Sequence, residues 1–294
     1  GMIVDKTCVV RAAVMGDGYL PSRTVTQSFI FTDHRHSLPV VSMVTDPKNL
    51  WNAQIGIYCT GTNGIPGNGQ DLPQNYNQDW QRPANFEYIK EGETVLSQPC
   101  DIAISGGWSR SSKLKSLKLV ARKKYDEMNS FDYPFFEAKP GLKYKSLLLR
   151  NSGNDWSNSM MKDALLQQLV AEVMDVEYQA YQPTVYYMNG EYYGIINLRE
   201  RNNTQYVYSN FGMDEEEIDM IEKVPYSSKL PTGETFEIKA GDTKAIDELL
   251  VLAERIEEPG VYEQICEQVD IDGLINYLML ELWTGNWDWP QNNI

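Results

Sequence analysis

The chain has little histidine, little positive charge, no paired cysteine motif and no long apolar run. Each shortage argues against a class of function. Only two histidines occur, His34 and His36, both in the polar connector TDHRHSLP. A histidine-based triad or histidine-rich metal centre has almost nothing to work with, and the pair reads as part of a solvated loop. Lysine and arginine number 26 against 41 aspartates and glutamates, a formal net charge of −15. That balance opposes nucleic-acid binding, which needs clustered cations on phosphate; it reads as a solubility feature. The four cysteines, Cys8, Cys59, Cys100 and Cys266, stand far apart with no CxxC spacing. This argues against a zinc site, and sequence alone pairs none of them. Apolar runs such as LPVVSMV (Leu38–Val44) fall far short of the roughly 20 residues of a membrane span. The opening Gly1-Met2 reads as a cloning scar, so the lack of a leader peptide says nothing against export.

What is present suits a folded protein. A chain of 294 residues with 42% hydrophobic side chains can bury a core for one large or two ordinary domains. Residues 3–31 read as strand, turn, strand around GDGYLPS. LPVVSMV reads as a buried strand stopped by Asp46-Pro47, and residues 60–84, rich in Gly, Asn, Gln and Pro, as a long loop. Residues 85–150 read as a β meander. Residues 158–174 switch to helical period, with Met161, Leu165, Leu169 and Val173 four apart on one face. PTVYYMNGEYYGIINL is the strongest hairpin signal, with Asn189-Gly190 supplying a type I′ turn. Residues 242–256 and 270–283 read as amphipathic helices, the latter capped by Asp270 or Asp272. The expected fold class is α+β, with a sheet lobe first and a helical lobe second.

Three stretches have the residue types for phosphate chemistry. In SGGWSRSSKLKSLKL (Ser105–Leu119), Gly106-Gly107 sits between two strands and is followed by Arg110, Lys113, Lys115 and Lys118. Glycines let a backbone approach a ligand closely, and cations pair with phosphate. In LLLRNSGNDW, a strand ends at Arg150 ahead of a polar loop and a helix whose Asp163 is a candidate partner for a strand cation. At the other end, GNWDWPQNN sets Asp288 five residues before Asn293, the spacing of a catalytic aspartate and a metal-binding asparagine in protein kinases. Taken singly, each also fits an exposed hairpin, a structural ion pair or a turn. A glycan-active enzyme would need a carboxylate pair; Glu87, Asp101, Glu191 and Glu200 are available, but no spacing singles out two.

Together with LPVVSMVTDPKNLWNAQIGIY, MMKDALLQQL and YYMNGEYYGIINLRE, these segments resemble in order the CotH kinase family, the spore-coat-protein-H-like atypical protein kinases, from about residue 38 onward. The resemblance implies a divergent protein-kinase-like fold with a β-rich N-lobe over about 37–200 and a partial helical C-lobe over about 201–294. Residues 1–36 would form a hairpin ending a preceding β-sandwich. It implies transfer of the ATP γ-phosphate, with Mg²⁺, to serine or threonine of a secreted, cell-surface or periplasmic protein. Some relatives are surface adhesins, so a catalytically inactive binding module is the alternative. Carried over by position, Asp288 is similar to the catalytic aspartate and Asn293, or its neighbour Asn292, to the metal-binding asparagine. Gly106, Gly107, Arg110 and Lys115 are similar to the nucleotide-covering loop, Arg150 to the arginine ending the next strand, and Glu200 to the crossing beside adenine. Lys162-Asp163 stands where Arg-Asp is expected, and the second metal-binding aspartate would fall beyond Ile294.

Overall fold

The computed structural model describes residues 1–67, 70–140, 143–223 and 236–290. It divides into two compact units, Gly1–Ala164 with Ala180–Arg201, and Leu165–Gln179 with Asn202–Ile294.

The chain opens with β1 (Cys8–Ala12) and β2 (Val25–Phe29), an antiparallel pair. β3 (Val40–Val44), buried along its whole length, leads into α1 (Pro47–Trp51), capped by Asp46. A hairpin of β4 (Ile65–Gly67) and β5 (Gln70–Gln74) follows. The expected long loop is therefore structured. A buried Asn75 organises it, donating to the Ala53 carbonyl and accepting from Asn63 N–H. Gly61 has φ +61° there, and a Cβ on it would lie 2.0 Å from the Asn75 side chain.

Then come β6 (Arg82–Lys90), β7 (Glu93–Ser105), β8 (Ser116–Ala121), α2 (Lys123–Asp126), β9 (Ser146–Arg150), α3 (Lys162–Ala171), β10 (Tyr181–Met188) and β11 (Glu191–Arg199). Seven strands close into a barrel in the order β10-β11-β9-β8-β7-β6-β3. Neighbours are antiparallel except at the closure, where Val185 on β10 runs parallel to Val40 on β3. Leu198, Leu149, Leu117 and Ile104 stand side by side across four strands, all buried. Leu147, Leu119 and Ile102 form a second such row. Phe86 and Tyr88 on β6 pack against Phe131, Tyr133 and Phe135. Glu87 faces the other way, where its carboxylate accepts from the backbone and hydroxyl of Ser28 on β2. The opening hairpin thus packs on the barrel as part of the first unit. Asn189 and Gly190 both have positive φ in the tight turn between β10 and β11.

This architecture overturns the expected protein-kinase-like arrangement of a β-rich lobe followed by a helical lobe. The reason is closure. A strand buried on both faces has the same apolar sequence in an open sheet as in a barrel. The pairing that decides between them joins residues far apart in the chain.

The second unit is not a helical lobe either. It has short helices, α4 (Thr204–Phe211), α5 (Lys244–Ala253), α6 (Val261–Cys266) and α7 (Ile271–Thr284), and a hairpin of β12 (Met220–Lys223) and β13 (Phe236–Ala240). Among the described residues its buried apolar side chains are Val170, Val261 and Ile265. The helix expected over 158–174 begins only at Lys162, because Met160 has φ +61° and Asp155 takes the N–H groups of Met161 and Lys162. Its stripe of Met161, Leu165, Leu169 and Val173 is exposed. No helix among the described residues is long and apolar enough to cross a membrane.

Candidate functional site

The turn between β7 and β8 carries Gly106, Gly107, Arg110 and Lys115. Gly106 has φ +98°, and a Cβ there would meet the Ser109 hydroxyl at 2.5 Å, so glycine is required. Residues Trp108–Ser111 form a single 3₁₀ turn. Arg110 donates through Nε to the Gly106 carbonyl, through Nη1 to the carbonyls of Tyr76 and Asn77, and through Nη2 to Asp79 at 3.3 Å. Lys115 is only 4% exposed. Its ammonium donates to the carbonyls of Arg110 and Ser112 and lies 4.1 Å from the centre of the Tyr76 ring. Burial lowers its pKa to about 8. Its backbone N–H donates to the Tyr58 hydroxyl at 2.8 Å. The structure therefore brings the four residues together, but the donors of Arg110 and Lys115 just named are spent inside the turn and its surroundings.

The end of β9 supplies a second cluster. Arg150 donates through Nε to Asp163 at 2.8 Å, and Arg199 through Nη1 to the same oxygen at 2.9 Å. Arg199 is 1% exposed, and burial lowers its pKa against the pull of Asp163. The adjacent Asn151 ties this strand end to the glycine turn, donating to the Leu114 carbonyl and exchanging hydrogen bonds with Ser116 Oγ. The sequence offered Asp163 only as a candidate partner for a strand lysine or arginine, with a solvated helix carboxylate the favoured reading; the structure pairs it with Arg150, and Arg199 was missed. Its signal was the parallel between LLLR and INLR, two apolar strands that each end in arginine. Tyr58, Tyr76 and Asn151 were missed as well, and their spacing carried no signal.

Glu200 is buried, and its Oε2 accepts from Lys139 Nζ at 2.8 Å and from the Ala180 N–H at 2.9 Å. It is an internal anchor at the end of β11. Glu87 and Asp101 are likewise buried and occupied. Burial works against the Asp101 charge, but Lys124, Tyr125 and Arg122 hold its pKa below the usual range. None of these three is a solvent-facing acid of the kind a glycosidase uses.

Asp288 lies in the second unit. Asp270 caps α7, accepting from Gly273 N–H, and Gly285 ends it with φ +60°. The chain then turns, with Asn286 accepting from the Asp288 N–H at 3.2 Å and donating to Glu281. Trp289 packs edge-on against Tyr277 of α7 at 6.1 Å, which holds the loop to its helix. Asn292 and Asn293 lie outside the described residues. Among the described residues no group of three or more His, Cys, Asp or Glu is placed to hold a metal.

These features define a β-barrel protein with a strand-end guanidinium fixed by a helix carboxylate, and a second unit in which Asp288 follows a helix. A family model described as CotH kinase protein matches residues 102–294. That is more than half of the chain, and the protein belongs to the CotH kinase family. No curated protein matches it.

Proposed function

We propose that this protein is an atypical protein kinase that moves the γ-phosphate of ATP, with Mg²⁺, to a serine or threonine hydroxyl of a secreted, cell-surface or periplasmic protein. Family membership supports kinase activity in general. The single observation that carries the reading is the state of Arg150. Its Nε is tethered to Asp163, and among the described residues its two Nη groups bond to nothing. A guanidinium held by one edge keeps a planar fork free for phosphate. The pairing has the form of the strand-lysine and helix-glutamate pair of protein kinases.

ATP with its metal would supply the transferable phosphoryl group and neutralise its charge. Arg150 would orient the phosphates. Asp288 would accept the proton of the attacking hydroxyl. Asn293, or Asn292 beside it, would offer a carbonyl oxygen to a hard cation. The location rests on the family resemblance.

Removing such a base costs roughly 10²–10⁴ in rate. Asp288→Asn should lose phosphate transfer to protein by that factor while still binding ATP. Equal labelling by the variant would refute the assignment. One observation favours the alternative, a catalytically inactive surface or adhesion module: Arg110 and Lys115 donate to backbone carbonyls. Nucleotide stabilisation separates the two readings. ATP at 100 times its Kd should add about 2.7 kcal/mol to a nucleotide-binding protein. No shift with or without Mg²⁺ would favour the binding module.

A further inference from the structure

The family match begins at residue 102. The groups that hold the glycine turn come mostly from residues before it. The turn after α1 places Tyr58, whose hydroxyl takes the Lys115 N–H and whose ring lies 5.4 Å from the Lys115 ammonium. The 3₁₀ turn Asn75–Asn77 places the Tyr76 ring 4.1 Å from the same ammonium. The carbonyls of Tyr76 and Asn77 take the Arg110 guanidinium. These holding groups are themselves fixed. Asn75 is fully buried and bonded to the Ala53 carbonyl and the Asn63 N–H. Gly56 leaves no space for a side chain against the backbone of Leu50 and Asn52.

We propose that Tyr58 and the turn Asn75–Asp79 are a fixed brace for residues 105–115, gripping Lys115 between two rings and Arg110 by backbone carbonyls, so that this turn is set for its ligand in advance. Lys115, Arg110 and Tyr76 are then positioning residues. A protein-kinase glycine loop closes over its nucleotide; a braced turn has less freedom to lose on binding, which favours affinity. The nature of the ligand rests on the nucleotide reading above, whereas the brace itself does not.

The test uses the full chain and three variants. Hydrogen exchange of the amides of residues 105–115 is measured in wild type, Tyr76→Leu and Tyr76→Phe. Loss of the ring over a buried cation should speed exchange in that turn by about tenfold in Tyr76→Leu, with β9 and β11 unchanged. Tyr76→Phe keeps a ring and should match wild type. Unchanged exchange in Tyr76→Leu, or equal exchange in both variants, overturns the brace. If Tyr76→Leu loosens the whole barrel, Tyr58→Phe decides instead. It removes only the acceptor of the Lys115 N–H, and unaltered exchange at that amide overturns the brace. KM for ATP should rise about tenfold in Tyr76→Leu, with kcat within about twofold. A loosened turn with unchanged KM overturns the ligand half. Wild type that binds no ATP refutes the nucleotide reading, and the exchange pattern still decides the brace.

Discussion

In the barrel unit, several polar side chains that leave water arrive with partners: Glu87 with Ser28, Asp101 with Arg122, Lys124 and Tyr125, and Glu200 with Lys139. The second unit shows the opposite pattern. Beyond Val170, Val261 and Ile265, many of its apolar side chains are exposed, with Leu282 at 71% and Trp283 and Trp287 at 76%. Both units come from sequences with clear hydrophobic periodicity. The difference teaches that periodicity marks which face of an element is apolar, while burial depends on what else the chain brings to that face.

The largest expected effect tests that contrast directly. Phe86 is fully buried among Phe131 and Phe135, so Phe86→Ala should cost about 3–5 kcal/mol, read from the denaturant midpoint. Leu282→Ala should change stability by less than about 0.5 kcal/mol. Comparable losses would erase the distinction between the units.

The next effect is a pH dependence. Lys115 has its pKa lowered to about 8 in the fold because it is buried. A cation that binds its proton less readily when folded stabilises the fold most where it is neutral in both states. Its cost is full below about pH 8 and is relieved as pH rises towards the ordinary lysine value of about 10.4. The difference in stability between wild type and Lys115→Met should therefore shift in favour of wild type across that window, by an amount on the order of 3 kcal/mol. A flat difference would mean that the ammonium is better solvated than its burial implies.

A smaller loss, though above that of Leu282→Ala, belongs to the second unit. The Asp270 carboxylate accepts from Gly273 N–H at the start of α7. Asp270→Ala should cost about 1 kcal/mol, measured by the helical circular dichroism signal on heating. A loss as large as that of Phe86→Ala would show that α7 carries more of the fold than its exposed faces suggest.

Local features were legible where one short stretch decides the outcome. Asn189-Gly190 makes its turn with both φ values positive, Val40–Val44 is buried, and of the two caps the sequence offered, Asp270 and Asp272, it is Asp270 that caps. Features set by distant pairings were hidden. Barrel closure depends on β3 meeting β10. The role of Lys115 depends on Tyr76 and Tyr58, which lie on other parts of the chain. A lysine in a glycine-rich turn reads as a phosphate ligand because the sequence does not reveal the rings that surround it. The exposed stripe of α3 marks the same boundary, since the spacing of Met161, Leu165, Leu169 and Val173 specifies a face but not its cover.

The parallel closure of β3 on β10 also has a consequence in time. The closing contact joins Val40 to Val185, and these residues are 145 positions apart (185 minus 40). At synthesis rates of about 5–20 residues per second, β3 leaves the ribosome roughly 7–30 s before its partner exists. Throughout that interval an apolar strand waits with one edge unpaired, a template for other extended chains. The newborn protein passes through a stage whose safety depends on how quickly β6 covers the other edge of β3.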